Sequence, residues 1–368
     1  MKHRFTFSVL ACLFLALLVI SNNKEWMTAV SDYRFSKEWL APDQFKHGDL
    51  YGLCYIHAYK EPAGPEQFKL FNAPKRNLDL YILHDSYLQN KLPSNCFEGI
   101  DTLIQIDYRG PSCLKHLNPA HASILLIETA QRYARWRFQL AAYFMNTLKI
   151  ERKGSSSGES IKPPAPDTDT AGVWNTIQST LYNPNINTNL EFNLFDYSLC
   201  SPLRGFKASL NYALFKKLSD KLVISTDQRY LLLKETIDTS QPTGIYTPLP
   251  DSELDSMVAH MDQIRKHFLS CGFKEVYFSV LPNTVSIVDS THYPGKTGNG
   301  LLYKLNHKTA GKIPFIDAYT RFLTKPDRMY KHGDSHWSNE GKQIWIDLVN
   351  KTLSMDTSIT YGSARIFP

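Results

Sequence analysis

The sequence predicts an α/β protein built on a mainly parallel sheet, and three observations carry that prediction. Apolar runs ended by turn residues read as buried strands at residues 78–83, 122–127 and 276–281. Amphipathic helices alternate with them, the clearest opening at Pro250 and Asp251. The 368 residues are 43% hydrophobic, enough apolar material for one large domain or a domain plus an accessory piece. Strands alternating with helices favour parallel pairing, because a parallel neighbour is reached through a crossover that a helix supplies.

In chain order, Lys2, His3 and Arg4 precede an apolar stretch at 5–20, and Asn22, Asn23 and Lys24 return to water. A basic segment before an apolar one is an export signal, and the positive-inside rule sends the rest of the chain outward. The stretch is shorter than the roughly 20 residues of a spanning helix, and Val19-Ile20-Ser21 is a mediocre cleavage site. Residues 1–24 are therefore read as a signal peptide or membrane anchor, with both fates open. Residues 25–368 form the exported, periplasmic or extracytoplasmic part, expected as a single catalytic domain.

The strand at 78–83 ends in the polar turn His84-Asp85-Ser86. The strand at 122–127 leads into a helix carrying Arg132, Tyr133, Trp136 and Leu140. Gly154-Ser155-Ser156-Ser157-Gly158, followed by Pro163, Pro164 and Pro166, marks a flexible insertion at about 152–194. Beyond it, Leu254, Met257, Val258, Met261, Ile264 and Phe268 recur at helical spacing until Gly272. The strand at 276–281 stops at Pro282, and Ser338 caps a last helix with Ile344, Leu348 and Leu353 on its apolar face. Parallel sheets carry their sites beyond the C-terminal strand ends, where Ser86 and the turn after Leu281 both fall.

Composition narrows the partners. A net charge of +6 without any run of five Lys or Arg argues against nucleic acid. Cys12 lies in the apolar segment; Cys54, Cys96, Cys113, Cys200 and Cys271 form no CxxC motif, so zinc and redox chemistry have little support. Export permits disulfides, with Cys96 and Cys113 the nearest pair in sequence.

Two motifs carry chemistry. The first, Leu83-His84-Asp85-Ser86-Tyr87, presents a serine on a tight turn off a buried strand. The second is Lys331-His332-Gly333-Asp334-Ser335-His336-Trp337-Ser338. Residues two apart in an extended segment leave the same face, so Asp334 can fix one imidazole nitrogen of His336 while the other faces Ser86. Serine as nucleophile, histidine as base and aspartate as orienting acid then form a complete triad. The tetrahedral oxyanion needs donors as well. The Ser86 N–H is the first candidate, with the Gly110 N–H and Asn283 as further ones.

Asp85-Ser86-Tyr87 resembles the first block of SGNH hydrolases. Asp334-Ser335-His336-Trp337-Ser338 with Gly341 resembles the D-x-H-W-[ST]-x-x-G block of their acetyltransferase branch, which includes periplasmic alginate O-acetyltransferases and DHHW-type proteins. Ile106-Asp107-Tyr108-Arg109-Gly110, the Ile127–Tyr133 segment and Val280-Leu281-Pro282-Asn283 are similar to further family elements. The resemblance implies a three-layer α/β/α sandwich, an acetyl-serine intermediate on Ser86 and a polysaccharide acceptor. It implies no cofactor. Export away from acetyl-CoA implies a membrane-bound acyl donor protein. The chain departs from the alginate proteins in placing the serine block first, and His84 stands where glycine is expected.

The expected function is thus an exported O-acyltransferase acting on a cell-envelope or secreted polysaccharide. His84, Tyr87, Arg109 and Trp337 are its candidate substrate-binding residues. An esterase with the same triad and an inactive glycan-binding or assembly protein are the alternatives. Other readings compete at single residues. His332, Asp334 and His336 could bind a metal, although no further cluster completes a shell and none is expected. Glu128 and Arg132, four apart, read most simply as an intrahelical ion pair.

Overall fold

The computed structural model describes residues 2–37, 40, 47–61, 66–88, 91–151, 182–197 and 200–356; the Gly/Ser and Pro-rich run at 154–166 lies outside them. The chain divides into two compact units, Met1–Ala63 with Ser157–Leu218 and Gly64–Ser156 with Ser219–Pro368. The expectation of one domain across 25–368 makes no such division.

Among its described residues the second unit holds eight strands: β1 (Leu78–His84), β2 (Thr102–Asp107), β3 (Cys113–Lys115), β4 (Ala122–Ala130), β5 (Leu148–Ile150), β6 (Leu222–Ile224), β7 (Leu231–Leu233) and β8 (Glu275–Leu281). Four of them form the central sheet in the order β2-β1-β4-β8, every pair parallel. Leu83 lies opposite Ile106 on one side and Ile127 on the other, and Ile127 lies opposite Phe278. Beyond β8, Phe278 N–H donates to Pro314 O at 3.0 Å and Ile316 N–H to Phe278 O at 2.8 Å, extending the ladder. The other strands make two small ladders, β3-β5 and β6-β7.

Every residue of β1 is buried, Asp79 and His84 included, which is why the strand reads as a near-continuous apolar run rather than an alternating one. Alternation decides which core each side chain enters. Leu78, Leu80, Ile82, Ile124 and Leu126 pack in one cluster with Trp345, Ile346 and Val349 of the helix Asn339–Met355. Tyr81, Leu83, Leu125, Ile127 and Phe278 pack in the other with Leu254, Met257, Met261, Ile264 and Phe268 of the helix Asp251–Ser270. That helix has Asp251 and Glu253 in its first turn, where the dipole favours acids, and Gly272 beyond its end takes φ +111°.

Two expectations need correction. The helix after β4 runs only Gln131–Arg137; its C-cap Phe138 is fully buried, and Leu140 falls beyond it, exposed. In the last helix the core face is Trp345, Ile346, Val349 and Leu353, with Ile344 and Leu348 only flanking it. Trp345, the bulkiest side chain there, takes the core position and donates Nε1–H to Ser279 Oγ at 3.0 Å.

In the first unit the helix Lys2–Asn22 carries a 19-residue stretch, Arg4–Asn22, with mean hydropathy 2.3 and only 6% buried. At 1.5 Å per residue this is about 28 Å, close to the ~30 Å of a bilayer core, so it is long and apolar enough to cross a membrane. Asn23 ends it and caps the next helix, Lys24–Ser36, by accepting from Trp26 N–H at 3.0 Å. The described residues of this unit also form the helices Tyr51–Cys54, Ile186–Phe195 and Ser201–Phe215, the second of them inside the stretch expected as a flexible insertion. All six cysteines are free thiols, Cys96 and Cys113 included.

Candidate active site

The strand order reverses beside β1: the chain pairs β2 on one side of it and later β4 on the other. Such a reversal opens a crevice at the C-terminal strand ends. Ser86 follows β1 there, Gln131 and Arg132 follow β4, and Asn283 follows β8. Ser86–Leu88 forms a single 3-10 turn, with Ser86 half-buried.

What shapes that turn is Asp85, 1% exposed. Its Oδ1 accepts from Tyr87 N–H at 3.0 Å. Its Oδ2 accepts from Ala130 N–H at 2.9 Å, Tyr108 OH at 3.2 Å and Arg137 Nη1 at 3.2 Å. Arg137 also donates to Thr129 Oγ1 at 2.7 Å and to Tyr108 OH, and its guanidinium stacks 4.4 Å from both the Tyr108 and Tyr133 rings. Asp85 N–H donates to Glu128 Oε2 at 3.1 Å. Glu128 is wholly buried; desolvation first, and then the charge of Asp85, push its carboxyl well above the usual range. Asp85 and Arg137 pair directly, Oδ2 to Nη1 at 3.2 Å, and burial beside them favours the protonated form of Glu128. Glu128 lies in β4 and contacts Asp85, so the expected Glu128–Arg132 helical ion pair does not form.

The second motif folds back as a loop. Tyr330 and Trp337 form an antiparallel bridge, and Ser338 N–H donates to Met329 O at 2.8 Å. Ser338 Oγ then caps the last helix through Gly341 N–H at 3.1 Å. A Cβ on Gly341 would meet Met329 O at 2.5 Å, so glycine is needed for this close approach. At the head of the loop, His336 Nδ1 lies 2.7 Å from Asp334 Oδ1, which also accepts from His336 N–H at 3.0 Å. A carboxylate can only accept there, so Nδ1 carries the proton and Nε2 is directed elsewhere.

Tyr87 joins the two motifs. Its hydroxyl donates to Ser335 O at 3.0 Å, its carbonyl accepts from Trp337 Nε1–H at 3.1 Å, and its ring meets that of His336 edge-on at 5.1 Å. Tyr87 and Trp337 thus clamp the two loops together with both side chains buried.

The remaining candidates divide. Asn283 is 1% exposed; its Oδ1 accepts from Arg132 N–H at 3.2 Å, its N–H donates to Gln131 Oε1 at 2.9 Å, and its Nδ2 has no hydrogen-bond partner among the described residues. The Gly110 N–H is already given to Asp107 O at 3.1 Å, closing a turn. Arg109 folds onto Asp107 through Nε and Nη2 at 2.9 and 2.6 Å. His84 is buried and donates Nδ1–H to Asp85 O at 2.8 Å; burial lowers its basicity, leaving a neutral ring that buttresses the turn. His332 packs edge-on against Tyr230 at 4.8 Å, and its carbonyl accepts from Leu231 N–H at 2.8 Å.

Sequence reasoning missed Tyr108, Thr129 and Arg137, and it gave Asp85 no role beyond its motif. One signal was available: Arg132, Arg135 and Arg137 crowd a seven-residue helix, and all three are buried. Three buried guanidiniums require acidic or carbonyl partners nearby. Compared with family models, with curated proteins and with solved structures, the chain finds no match.

Proposed function

We propose that this chain is an exported, membrane-anchored acyltransferase that passes an acyl group, expected to be acetyl, to a hydroxyl of a polysaccharide through an acyl-serine on Ser86. The observation that carries the reading is the 2.7 Å Asp334–His336 pair in a loop whose two flanking residues, Ser335 and Trp337, both bond Tyr87, next in chain to Ser86. The two hydrophobic clusters, each with its own long helix, support a three-layer sandwich of the SGNH type.

In this mechanism His336 Nε2 takes the Ser86 hydroxyl proton as Oγ attacks the carbonyl carbon of the donor. The oxyanion is met by the Ser86 N–H and by Asn283 Nδ2, whose hydrogens no other described residue uses. The tetrahedral species collapses, the bond to the donor's leaving atom breaks, and that atom leaves with the proton from His336. An acceptor hydroxyl then loses its proton to His336 and attacks the acyl-serine; collapse releases the new ester and returns the proton to Ser86. Asp334 holds the Nδ1–H tautomer throughout and stabilises the imidazolium. The Gly110 N–H, committed to Asp107, takes no part. With water as acceptor the same steps make an esterase.

Intact-mass analysis of the full chain in detergent, incubated with a small activated acetyl ester, tests the reading. An acetyl adduct on Ser86, absent in Ser86→Ala and His336→Ala, is the expected result. A folded protein with neither adduct nor ester turnover would overturn it in favour of a glycan-binding role. Adding oligosaccharide separates the two enzymes, since acetate as sole product removes the transferase.

A further inference from the structure

The helix Ser201–Phe215, in the first unit, is amphipathic in the wrong sense for water. Its inner face is small and polar. Ser201 and Gly205 are buried, Ser201 Oγ accepts from Lys60 Nζ at 3.0 Å, and Ser209 Oγ accepts from His57 N–H at 3.2 Å. Gly205 stands where a Cβ would already touch Tyr55 O at 3.5 Å, so the helix lies close on that backbone. The outer face is apolar: Leu203 is 75% exposed, Phe206 69%, Leu210 46% and Leu214 64%. These four recur at helical spacing and form one stripe about 16 Å long. A soluble surface rarely leaves such a stripe uncovered.

Charge and position indicate what covers it. Lys207, Lys216 and Lys217 lie on or just after the helix, and residues 200–218 contain no Asp or Glu, while Arg204 turns inward to Glu191 at 3.1 Å and Asp196 at 3.6 Å. Arg204 lines the same 1270 Å³ groove as Asn22 and Glu25, at the polar end of the apolar N-terminal helix. Asn189 Nδ2 in turn donates to Ser21 O at 2.6 Å, fixing the unit's second half to that end. A bilayer crossed by Arg4–Asn22 would therefore have its surface near the first turn of this helix.

The geometry points to Ser201–Phe215 as an interfacial helix that lies on the membrane, with Leu203, Phe206, Leu210 and Leu214 among the acyl chains and Lys207, Lys216 and Lys217 at anionic lipid headgroups. This rests on the anchor reading above and adds a second membrane contact, which would hold the first unit against the bilayer rather than leave it on a single tether.

Photocrosslinking of the full chain in vesicles of phosphatidylethanolamine and phosphatidylglycerol tests it, with p-benzoylphenylalanine in place of Leu13, Phe206 or Tyr212 in separate preparations. Lipid-mass adducts are expected at positions 13 and 206, with about tenfold less at 212 on the inner face. Lipid capture at 13 but not at 206 would overturn the inference and leave the anchor standing. So would an adduct at 206 with the mass of a second copy of the chain. Failure at 13 would strike the anchor reading instead. Leu210→Glu should lower the yield at 206 several-fold without changing that at 13.

Discussion

Asp85 precedes the candidate nucleophile by one residue, and Asp334 precedes the candidate base by two. Asp85 is 1% exposed, and its two oxygens accept from four donors: the Tyr87 N–H in the turn, the Ala130 N–H at the end of β4, the Tyr108 hydroxyl and Arg137. The Asp334 side chain is 13% exposed; one oxygen serves His336, and Lys331 Nζ lies 3.7 Å from the other. A carboxylate held by several fixed donors inside a protein is a strut: neutralising it strands a buried cation. A carboxylate bonded to an imidazole instead sets that imidazole's proton. Under the proposed mechanism, the same residue type bears on stability in one loop and on rate in the other.

The largest effect expected from this contrast is on the Asp334 side. Asp334→Asn should lower acyl-enzyme formation by about 10⁴-fold, the loss a triad aspartate commands when its amide selects the wrong tautomer. Its denaturation midpoint should barely move, because the pair is partly exposed and the loop keeps its Tyr87 contacts. Single-turnover rates and a denaturant titration read both quantities. A rate loss below tenfold would remove Asp334 from the triad.

Asp85→Ala should show the reverse. Arg137, 5% exposed, would lose its carboxylate, at about 3–5 kcal/mol of stability. Combining the change with Arg137→Met should recover part of that loss, since removing both charges spares the stranded one. A destabilisation under about 1 kcal/mol for Asp85→Ala would mean that Arg137 finds another counter-charge and that the contrast is false.

Asn283→Ala ranks next. If Nδ2 serves the oxyanion, kcat should fall about 10²–10³-fold, or roughly 3–4 kcal/mol, with KM for a small ester little changed. A loss of folded protein with full activity in the remainder would instead make Asn283 a bracket for Gln131 and Arg132.

The contrast also shows what the sequence could disclose. Asp334 and His336 were legible because both partners lie in one short segment, where spacing alone puts them on one face. The helix Asp251–Ser270 was legible for the same reason, since its period needs no partner to be seen. The Asp85 set was not: Tyr108, Glu128, Thr129 and Arg137 come from three segments that only the order β2-β1-β4-β8 brings together. The Glu128–Arg132 misreading follows from this, because spacing of four implies contact only if both residues are helical, and Glu128 is in a strand. The Ser201–Phe215 stripe was passed over because an apolar period does not say which face looks inward.

Glu128→Gln carries the smallest effect and tests the charge balance behind the contrast. Folded, Glu128 keeps its proton well above its ordinary pKa of 4.5; unfolded, it loses it near that value. Above pH 4.5 the native state thus binds one proton more than the unfolded state, and stability falls as pH rises toward the folded pKa, by at most about 1.4 kcal/mol per pH unit. Glutamine copies the protonated acid: its carbonyl can accept from Asp85 N–H, and its NH₂ can donate to the Asp85 carboxylate. The variant should match wild type near pH 5 and exceed it increasingly by pH 8. His84, whose basicity burial lowers, costs stability as pH falls, but it does so in both proteins and cancels in their difference. Denaturant midpoints across that range give the comparison directly. Parallel curves would mean that Glu128 is ionised in the fold, that Arg137 is shared between two carboxylates, and that Asp85 is not the sole strut beneath Ser86.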